Sequence, residues 1–458
     1  MILDTKPPNT RGRRRSPSLA AMFSFLWPGL GQLYLGKRRL AALYAVPALL
    51  VLLILAYQLR QGVVVFAARF ADPSFSLAAI AIVIVVAVWR LASVVHAFLV
   101  GEHLKTRRVI DRAVVVALAA VIVISHLGVG GLLLVTYNAG SQVFNPDIGQ
   151  SMPTSSLAPG ETPGPMVVAL PTPLPTPVPG GRVTILFIAG STKGDLYDSI
   201  MVVSYDQKTN SVQMVSVPRD SGYFALYFGG VFPYKINYLA EAVTNGVLKS
   251  PEGKNQAAGI STLIKEVSYL VGIPINYYAW MDVGGFVKMI DAVGGIDVNN
   301  PKVIADPTYD WLDGSPHGFY LSAGPHHLDG RDALAYVRSR HTFGDYDWGR
   351  DARQQEVLVD LLNKIKSEPL AFPGLISTLG SSVRTNFPAN QVADYVDKGQ
   401  SVVSGGTVKQ VVLGPPYEIP AGAAIYCLLN DKVAALSIQW FGTDSTWYGK
   451  PAPANTCP

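Results

Sequence analysis

Charge is scarce in this chain. Asp, Glu, Lys and Arg make up 15% of its 458 residues, where an ordinary soluble protein carries roughly a quarter. The deficit is confined to the stretch before Tyr137, so an apolar region is joined to a sequence of normal polarity. Cysteine is scarcer still. The two present, Cys427 and Cys457, stand in no C-x-x-C or zinc spacing, which excludes a cysteine-held metal and a disulfide-dense scaffold. A disulfide is the simplest reading of the pair, with two unpaired thiols as the alternative. On an oxidising face of a membrane it would close a loop of about 30 residues and contribute roughly 3 to 4 kcal/mol. Nucleic acid is set aside, because the net charge of +5 comes from dispersed Arg and Lys with no accompanying motif. His317, His326, His327 and His341 show no i, i+4 pairing on a helix, so they read as loop or surface residues rather than metal ligands. No internal repeat is visible.

Long hydrophobic runs are what the first part does contain. Residues 40–59, 75–100 and 113–137 are each long enough to cross a hydrocarbon core of about 30 Å at about 1.5 Å per residue. Arg90 interrupts the second run near one end, where its side chain is expected to snorkel to the headgroups. Residues 19–35 are apolar too, but contain Pro28-Gly29-Leu30-Gly31 and have Arg13, Arg14 and Arg15 before them and Lys37, Arg38 and Arg39 after. Positive flanks on both sides predict a re-entrant or interfacial hairpin with both ends in the cytoplasm, a fourth span being the alternative. Lys105, Arg107, Arg108 and Arg112 place the next loop inside as well. The last span then runs outward, in agreement with the absence of Arg and Lys between Arg112 and Arg182. The first apolar stretch lacks a small-residue cleavage site, so a cleaved signal peptide is not expected.

The organisation read from this is a basic cytoplasmic tail (1–18), a membrane region (19–137), a Pro/Thr-rich external linker (138–181) and an external domain (182–386) with a C-terminal extension of that domain (387–458). Leu170-Pro-Thr-Pro-Leu-Pro-Thr-Pro-Val-Pro179 favours polyproline II, which cannot build a core and is expected to hold the domain some tens of Å from the bilayer. Beyond Arg182, short apolar runs at 183–189, 200–204 and 212–217 alternate with helical spacing at 262–271, 286–293 and 357–365. That mixture predicts an α/β or α+β domain with a central mixed sheet flanked by helices. In the extension, 392–403 reads as helix and 408–413 as strand.

Five strings in order carry a resemblance. They are Asp198-Ser-Ile-Met201; Ser216-Val-Pro-Arg219-Asp220 with Lys235-Ile-Asn237; Gly284-Gly-Phe-Val287 through Asp291-Ala-Val-Gly-Gly-Ile-Asp-Val298; Leu328-Asp-Gly-Arg-Asp-Ala-Leu-Ala-Tyr-Val-Arg338-Ser-Arg340; and Asp347-Trp-Gly-Arg350-Asp-Ala-Arg-Gln-Gln355. Over residues 182 to about 367 the chain resembles the LytR-CpsA-Psr family of cell-envelope proteins. The resemblance implies a phosphotransferase that moves a glycan from a polyprenyl-pyrophosphate carrier to an envelope acceptor, releases polyprenyl phosphate and uses Mg²⁺. It also implies an apolar pocket for the lipid between sheet and helices. Alternatives of another class are a non-catalytic polyprenyl-phosphate receptor and a polyprenyl-pyrophosphate hydrolase.

The residue types fit that chemistry, since guanidinium groups bind phosphate oxygens bidentately. Arg219, Arg338, Arg340 and Arg350 match the family's clamp, Lys235 adds a point charge, and Gln354 can donate to a phosphate oxygen. Arg338 and Arg340 face one way only if the chain between them is extended, because i, i+2 residues diverge on a helix. Asp198 matches a metal-binding aspartate that could also take the acceptor's proton. Asp220, Asp347 and Arg353 read as shaping residues. Two positions depart from the family: Thr192 stands where an aspartate is usual and Leu196 where an arginine is, which predicts weaker Mg²⁺ coordination and slower turnover. Asp195 is the nearest substitute carboxylate.

Overall fold

The computed structural model describes residues 16–101, 108–144, 170, 173–190, 197–342, 345–367, 372–380, 382–422 and 424–458. It forms two compact units, residues 1–62 with 74–137 and residues 63–73 with 138–458. The basic residues Arg13 to Arg15 and Lys105, most of the linker, and Thr192, Asp195 and Leu196 lie outside the described residues.

In the smaller unit α1 (Pro17–Leu26) and α2 (Leu30–Tyr34) precede α3 (Arg38–Leu59), and α5 (Pro73–Gly101) and α6 (Arg108–Phe144) follow. The last three each contain a window of mean hydropathy 2.5 and are long enough to cross a membrane. With 10 residues, α1 reaches only about 15 Å. Gly29, with φ 99°, turns the chain between α1 and α2, and a Cβ there would collide with the Ala41 carbonyl. The polar groups of this hairpin are satisfied internally, as an apolar surrounding requires. Ser24 donates to Gln32 at 3.0 Å and Gln32 to the Ser93 carbonyl at 2.9 Å. Arg90 donates to the Phe25 carbonyl at 3.0 Å with its guanidinium over the Phe25 ring.

The larger unit is built on a mixed sheet. β1 (Arg182–Gly190), β2 (Tyr197–Asp206) and β3 (Ser211–Ser216) run antiparallel in sequence, and β7 (Tyr277–Asp282) lies parallel to β1. β12 (Val383–Thr385) and β13 (Thr407–Val412) complete the order β12-β7-β1-β2-β3-β13. The two edges of this sheet therefore come from the C-terminal part of the chain, and the extension is integral to the domain. Four small sheets sit around it: β4 (Ser221–Gly222) with β14 (Glu418–Gly422) and β15 (Ile425–Leu428); β5 (Phe224–Ala225) with β6 (Val231–Phe232); β8 (Ile296–Asn300) with β11 (Gly324–Leu328); and β9 (Ile304–Asp306) with β10 (Phe319–Leu321). Cys427 of β15 is bonded to Cys457, as expected from the sequence, with Cα atoms 5.5 Å apart.

The strands read as continuous apolar runs because both faces are covered. Leu186, Ile188, Ile200 and Val202 enter one core with Leu239 of α7 (Leu239–Thr244), Ile260, Leu263 and Val267 of α8 (Gln256–Val271) and Leu436 of α14 (Asn430–Phe441). α8 starts at Asn255, whose side chain accepts from Ala258 N, and ends at Gly272 in the left-handed conformation that glycine tolerates. The alternate residues Phe187, Ala189, Met201, Ala279 and Met281 line a cavity instead. Its far wall is α9 (Val283–Ala292), α10 (Gly330–Arg338) and α11 (Tyr346–Ser367). Behind that wall, α12 (Phe372–Leu379) and α13 (Val392–Gly405) pack with the short helix α4 (Val63–Ala68), which buries Val64, Val65 and Ala68 beside Leu375 and Ala393.

The end of the proline-rich segment also belongs to this unit. Leu170 and Leu174 pack against the first core, and Asn276 donates to the Pro175 carbonyl at 2.8 Å. The leucines between the prolines give the segment an apolar side to bury, which a free tether would leave in water.

Candidate functional site: an arginine-lined cavity continuous in residues with an apolar one

Two adjoining cavities define the site. The first, about 180 Å³, is lined by Asp198, Arg219, Arg338, Arg340 and Arg350, together with Asp306, Thr308, Tyr309, Asp310 and His341. The second, about 250 Å³, is the apolar space between sheet and helices. Asp198 and Arg338 line both.

Strand pairing brings the first members together. Because β2 and β3 are antiparallel with Met201 opposite Ser216, the start of β2 and the residues just after β3 meet at one edge. Asp198 Oδ1 there accepts from Arg219 Nη1 at 2.5 Å. The first turn of α11 supplies the next layer. Asp347 takes Arg350 Nη1 at 2.8 Å and lies 3.8 Å from Arg219 Nε, while Asp351 takes Arg350 Nη2 at 2.8 Å. Arg350 is 2% exposed, so its charge is balanced by carboxylates on its own helix. Burial, with a hydrogen bond to Asp347, pushes the Asp220 carboxyl up. Burial acts on Asp347 in the same sense, but Arg350, the Asp220 hydrogen bond, Arg219 and Lys235 outweigh it and hold Asp347 low. The two neighbouring carboxyls are thus pushed apart, Asp220 up and Asp347 down. Burial raises Asp351 to about 6 against the opposing pull of Arg350.

Arg338 and Arg340 arrive differently from expectation. The chain between them is not a strand: Arg338 closes α10, and Ser339, at φ −58° and ψ 138°, turns the backbone out of the helix before Arg340. One residue of extended backbone at the helix end is enough to direct both guanidinium groups into the same cavity. Arg338 in the last turn also opposes the negative end of the helix dipole. Neither arginine forms an ion pair among the described residues, so both can meet an anion without first breaking one.

Lys235 and Gln354 stand apart from this group. Lys235 Nζ is 2.7 Å from Asp220 and does not line the cavity. Gln354 lines the apolar cavity and donates to the Val337 carbonyl at 3.2 Å. Arg353 shapes the site from beneath, donating to the Tyr336 carbonyl at 2.6 Å, to Asp345 at 2.5 Å and to the Ser339 carbonyl. His341 is an exposed loop residue, but it lies on the rim of the arginine cavity.

Sequence reasoning missed Asp306, Tyr309 and Glu418. Asp306-Pro307-Thr308 carries an Asx-turn signal, which by itself marks only a loop. Glu418 on β14 accepts from Trp348 Nε1 at 2.6 Å and from Ser221 Oγ at 2.9 Å, and burial raises it to about 7. No short motif marks it.

Among the described residues no group of three or more His, Cys, Asp or Glu side chains could hold a metal ion. Asp306 has its oxygens filled by its own loop. Asp198 is the carboxylate at the junction of the two cavities, so the described residues offer a divalent ion one protein ligand there, short of a complete site.

Comparison with known proteins identifies the family. Residues 184–438 match the LytR_cpsA_psr family. The cell wall biosynthesis protein LcpA of Corynebacterium glutamicum is 32% identical over 235 residues, 49% of this chain and 42% of that protein. The polyisoprenyl-teichoic acid–peptidoglycan teichoic acid transferase TagU of Bacillus mycoides is 28% identical over 217 residues, 46% of this chain and 62% of that one. The chain thus spans less than two thirds of either relative. The crystal structure of B. subtilis TagT aligns with 58% of this chain and 93% of its own, at 23% identity and a TM-score of 0.43. With the family's pattern running from β1 to the last helix of the larger unit, the chain belongs to the LytR_cpsA_psr family.

Proposed function

We propose that this protein transfers a glycan from a polyprenyl-pyrophosphate carrier to a cell-envelope acceptor and releases polyprenyl phosphate. One observation carries the reading: a cavity lined by Arg219, Arg338, Arg340 and Arg350 shares Asp198 and Arg338 with an apolar cavity bounded by Phe187, Met201, Phe286 and Leu361. A ligand with a diphosphate at one end and a hydrocarbon chain at the other fits both at once. TagU, a relative, is a teichoic acid transferase by name.

The residues divide the work. Arg338 and Arg340 bind the diphosphate oxygens, and Arg350, held in place and neutralised by two carboxylates, presents a preorganised guanidinium on the same cavity wall. The acceptor hydroxyl attacks the phosphorus that bears the glycan. The bond from that phosphorus to the bridging oxygen breaks, and polyprenyl phosphate leaves with its added charge on the arginines. The acceptor's proton passes to a carboxylate, for which Asp198 stands in the cavity wall. Mg²⁺ is part of the proposal: Asp198, substrate oxygens and water would hold it, a mode this ion accepts, and it would neutralise the diphosphate.

Orientation follows from two supports. Lys37 to Arg39 and the basic 105–112 loop favour a cytoplasmic side for those segments. The 63–73 connection belongs to the same compact unit as the domain, which supports a location for both on the opposite side. The N-terminus is then cytoplasmic and the domain extracytoplasmic.

The test is turnover of a labelled polyprenyl-pyrophosphate glycan by the full chain in detergent, with Mg²⁺, with and without acceptor glycan. The reading expects polyprenyl phosphate and a phosphodiester-linked acceptor only when acceptor is present. Release without acceptor identifies a hydrolase, and tight binding without release identifies a receptor.

A further inference from the structure

A carboxylate on the wall of an anion-binding cavity is an electrostatic liability. Asp306 is such a group, and its surroundings explain its presence. It is the last residue of β9, 2% exposed. Its Oδ2 accepts from Ser339 Oγ at 3.0 Å, from Arg340 N at 3.1 Å and from His341 N at 3.2 Å. Its Oδ1 accepts from Thr308 N at 3.1 Å and Thr308 Oγ1 at 3.0 Å. These donors fill the roughly four lone-pair sites of a carboxylate. Three of them belong to the segment that carries the clamp arginines.

The same carboxylate also closes the turn at Thr308, ahead of Tyr309, which is buried and lines the same cavity as Arg338. Ser339, between the two arginines, is held from both sides, its hydroxyl by Asp306 and its carbonyl by Arg353. The backbone leaves α10 at this point, where a free chain could turn either arginine away.

We propose that Asp306 is a positioning residue of the diphosphate clamp: its carboxylate, through Ser339 and the Arg340 backbone, fixes the directions in which Arg338 and Arg340 enter the cavity. This rests on the reading of that cavity as a diphosphate site. Five neutral donors disperse the carboxylate's charge, so the arginines keep most of their attraction for an anion. Asp306 needs no contact with substrate to act.

The experiment is calorimetric binding to the full chain in detergent, with geranylgeranyl pyrophosphate and the uncharged alcohol geranylgeraniol as probes. The variants are Asp306→Asn, Ser339→Ala, Arg340→Ala and the Asp306→Asn/Arg340→Ala pair. Asn keeps the size of Asp but turns an NH₂ group toward the donors. Asp306→Asn is expected to weaken the diphosphate about tenfold, the scale of one lost charge-assisted contact, and to leave the alcohol within about twofold. Ser339→Ala, a milder change, should give the same pattern at about threefold and decides the matter if Asp306→Asn does not fold. In the Arg340→Ala background the effect of Asp306→Asn should shrink, because a residue that acts through another loses its effect when that one is gone. Parental diphosphate affinity in both single variants overturns the proposal, as does an equal loss for the alcohol or full additivity with Arg340→Ala. A parent that binds both probes equally overturns the clamp reading itself, and the proposal with it; that outcome is seen in the parent alone.

Discussion

Arg338 and Arg340 are the residues on which the proposed phosphate chemistry depends, since they meet the cavity without an ion pair among the described residues. Arg338→Ala or Arg340→Ala is expected to weaken polyprenyl-phosphate binding by about 1.5 to 3 kcal/mol, read by calorimetry, with folding intact by circular dichroism. Glu266 gives a second residue-scale prediction, away from the site. It is fully buried in the core beside Tyr227, with one oxygen unpartnered, and burial raises it from 4.5 to about 8. A carboxyl raised in the folded state favours folding while protonated. Its stabilising contribution is complete below about pH 4.5 and is lost as pH rises to about 8. Glu266→Gln, which keeps an acceptor for Tyr227 N, should therefore match the parent near pH 4.5 and be more stable at pH 8 to 9, by a few kcal/mol in order of magnitude. Thermal unfolding across that range measures it, and a constant difference between the two proteins would contradict the assignment. The clamp arginines were legible because they sit in dense local strings. Asp306 was not, because three of its donors come from residues 339–341, more than 30 positions on.

At the scale of elements, the sheet shows how the fold forms an apolar cavity. Alternation sends Leu186 and Ile188 into one core and Phe187 and Ala189 toward the cavity, so a strand that reads as wholly apolar packs against the core on one face and faces an apolar cavity walled by helices on the other. Periodicity predicted the strands and the helices of residues 262–271 and 392–403, because each buries a defined face. It did not predict that Arg338 ends a helix, since the i, i+2 argument assumed one conformation for the whole tripeptide and Ser339 breaks it. Nor could it assign β12 and β13 to the sheet edges, because pairing with β7 and β3 is long-range. The Cys427–Cys457 bond secures β15, which pairs with β4 immediately after Asp220. Replacing both cysteines by serine should lower stability by about 2 to 4 kcal/mol, seen as a lower midpoint in denaturant; an unchanged midpoint would remove the bond from the account.

For the whole molecule, the charge pattern and the division into units support the proposed topology. A tag after Pro458 should be cut by external protease in intact cells, and a tag placed in the 105–112 loop should be protected. Protection of the C-terminal tag would reverse the orientation. The packing of α4 on α12 and α13 was hidden in the sequence, where Val63 to Ala71 reads as a remnant of the neighbouring membrane spans rather than as part of the domain's core. The central claim is that one amphiphile occupies both cavities. The most direct measurement is an experimental structure of the full chain with geranylgeranyl pyrophosphate bound. The account predicts phosphate oxygens against Arg338 and Arg340 and the prenyl chain between Phe187 and Met201 on one side and Phe286 and Leu361 on the other. A ligand whose phosphates lie away from those arginines, or whose chain leaves the apolar cavity empty, would contradict it.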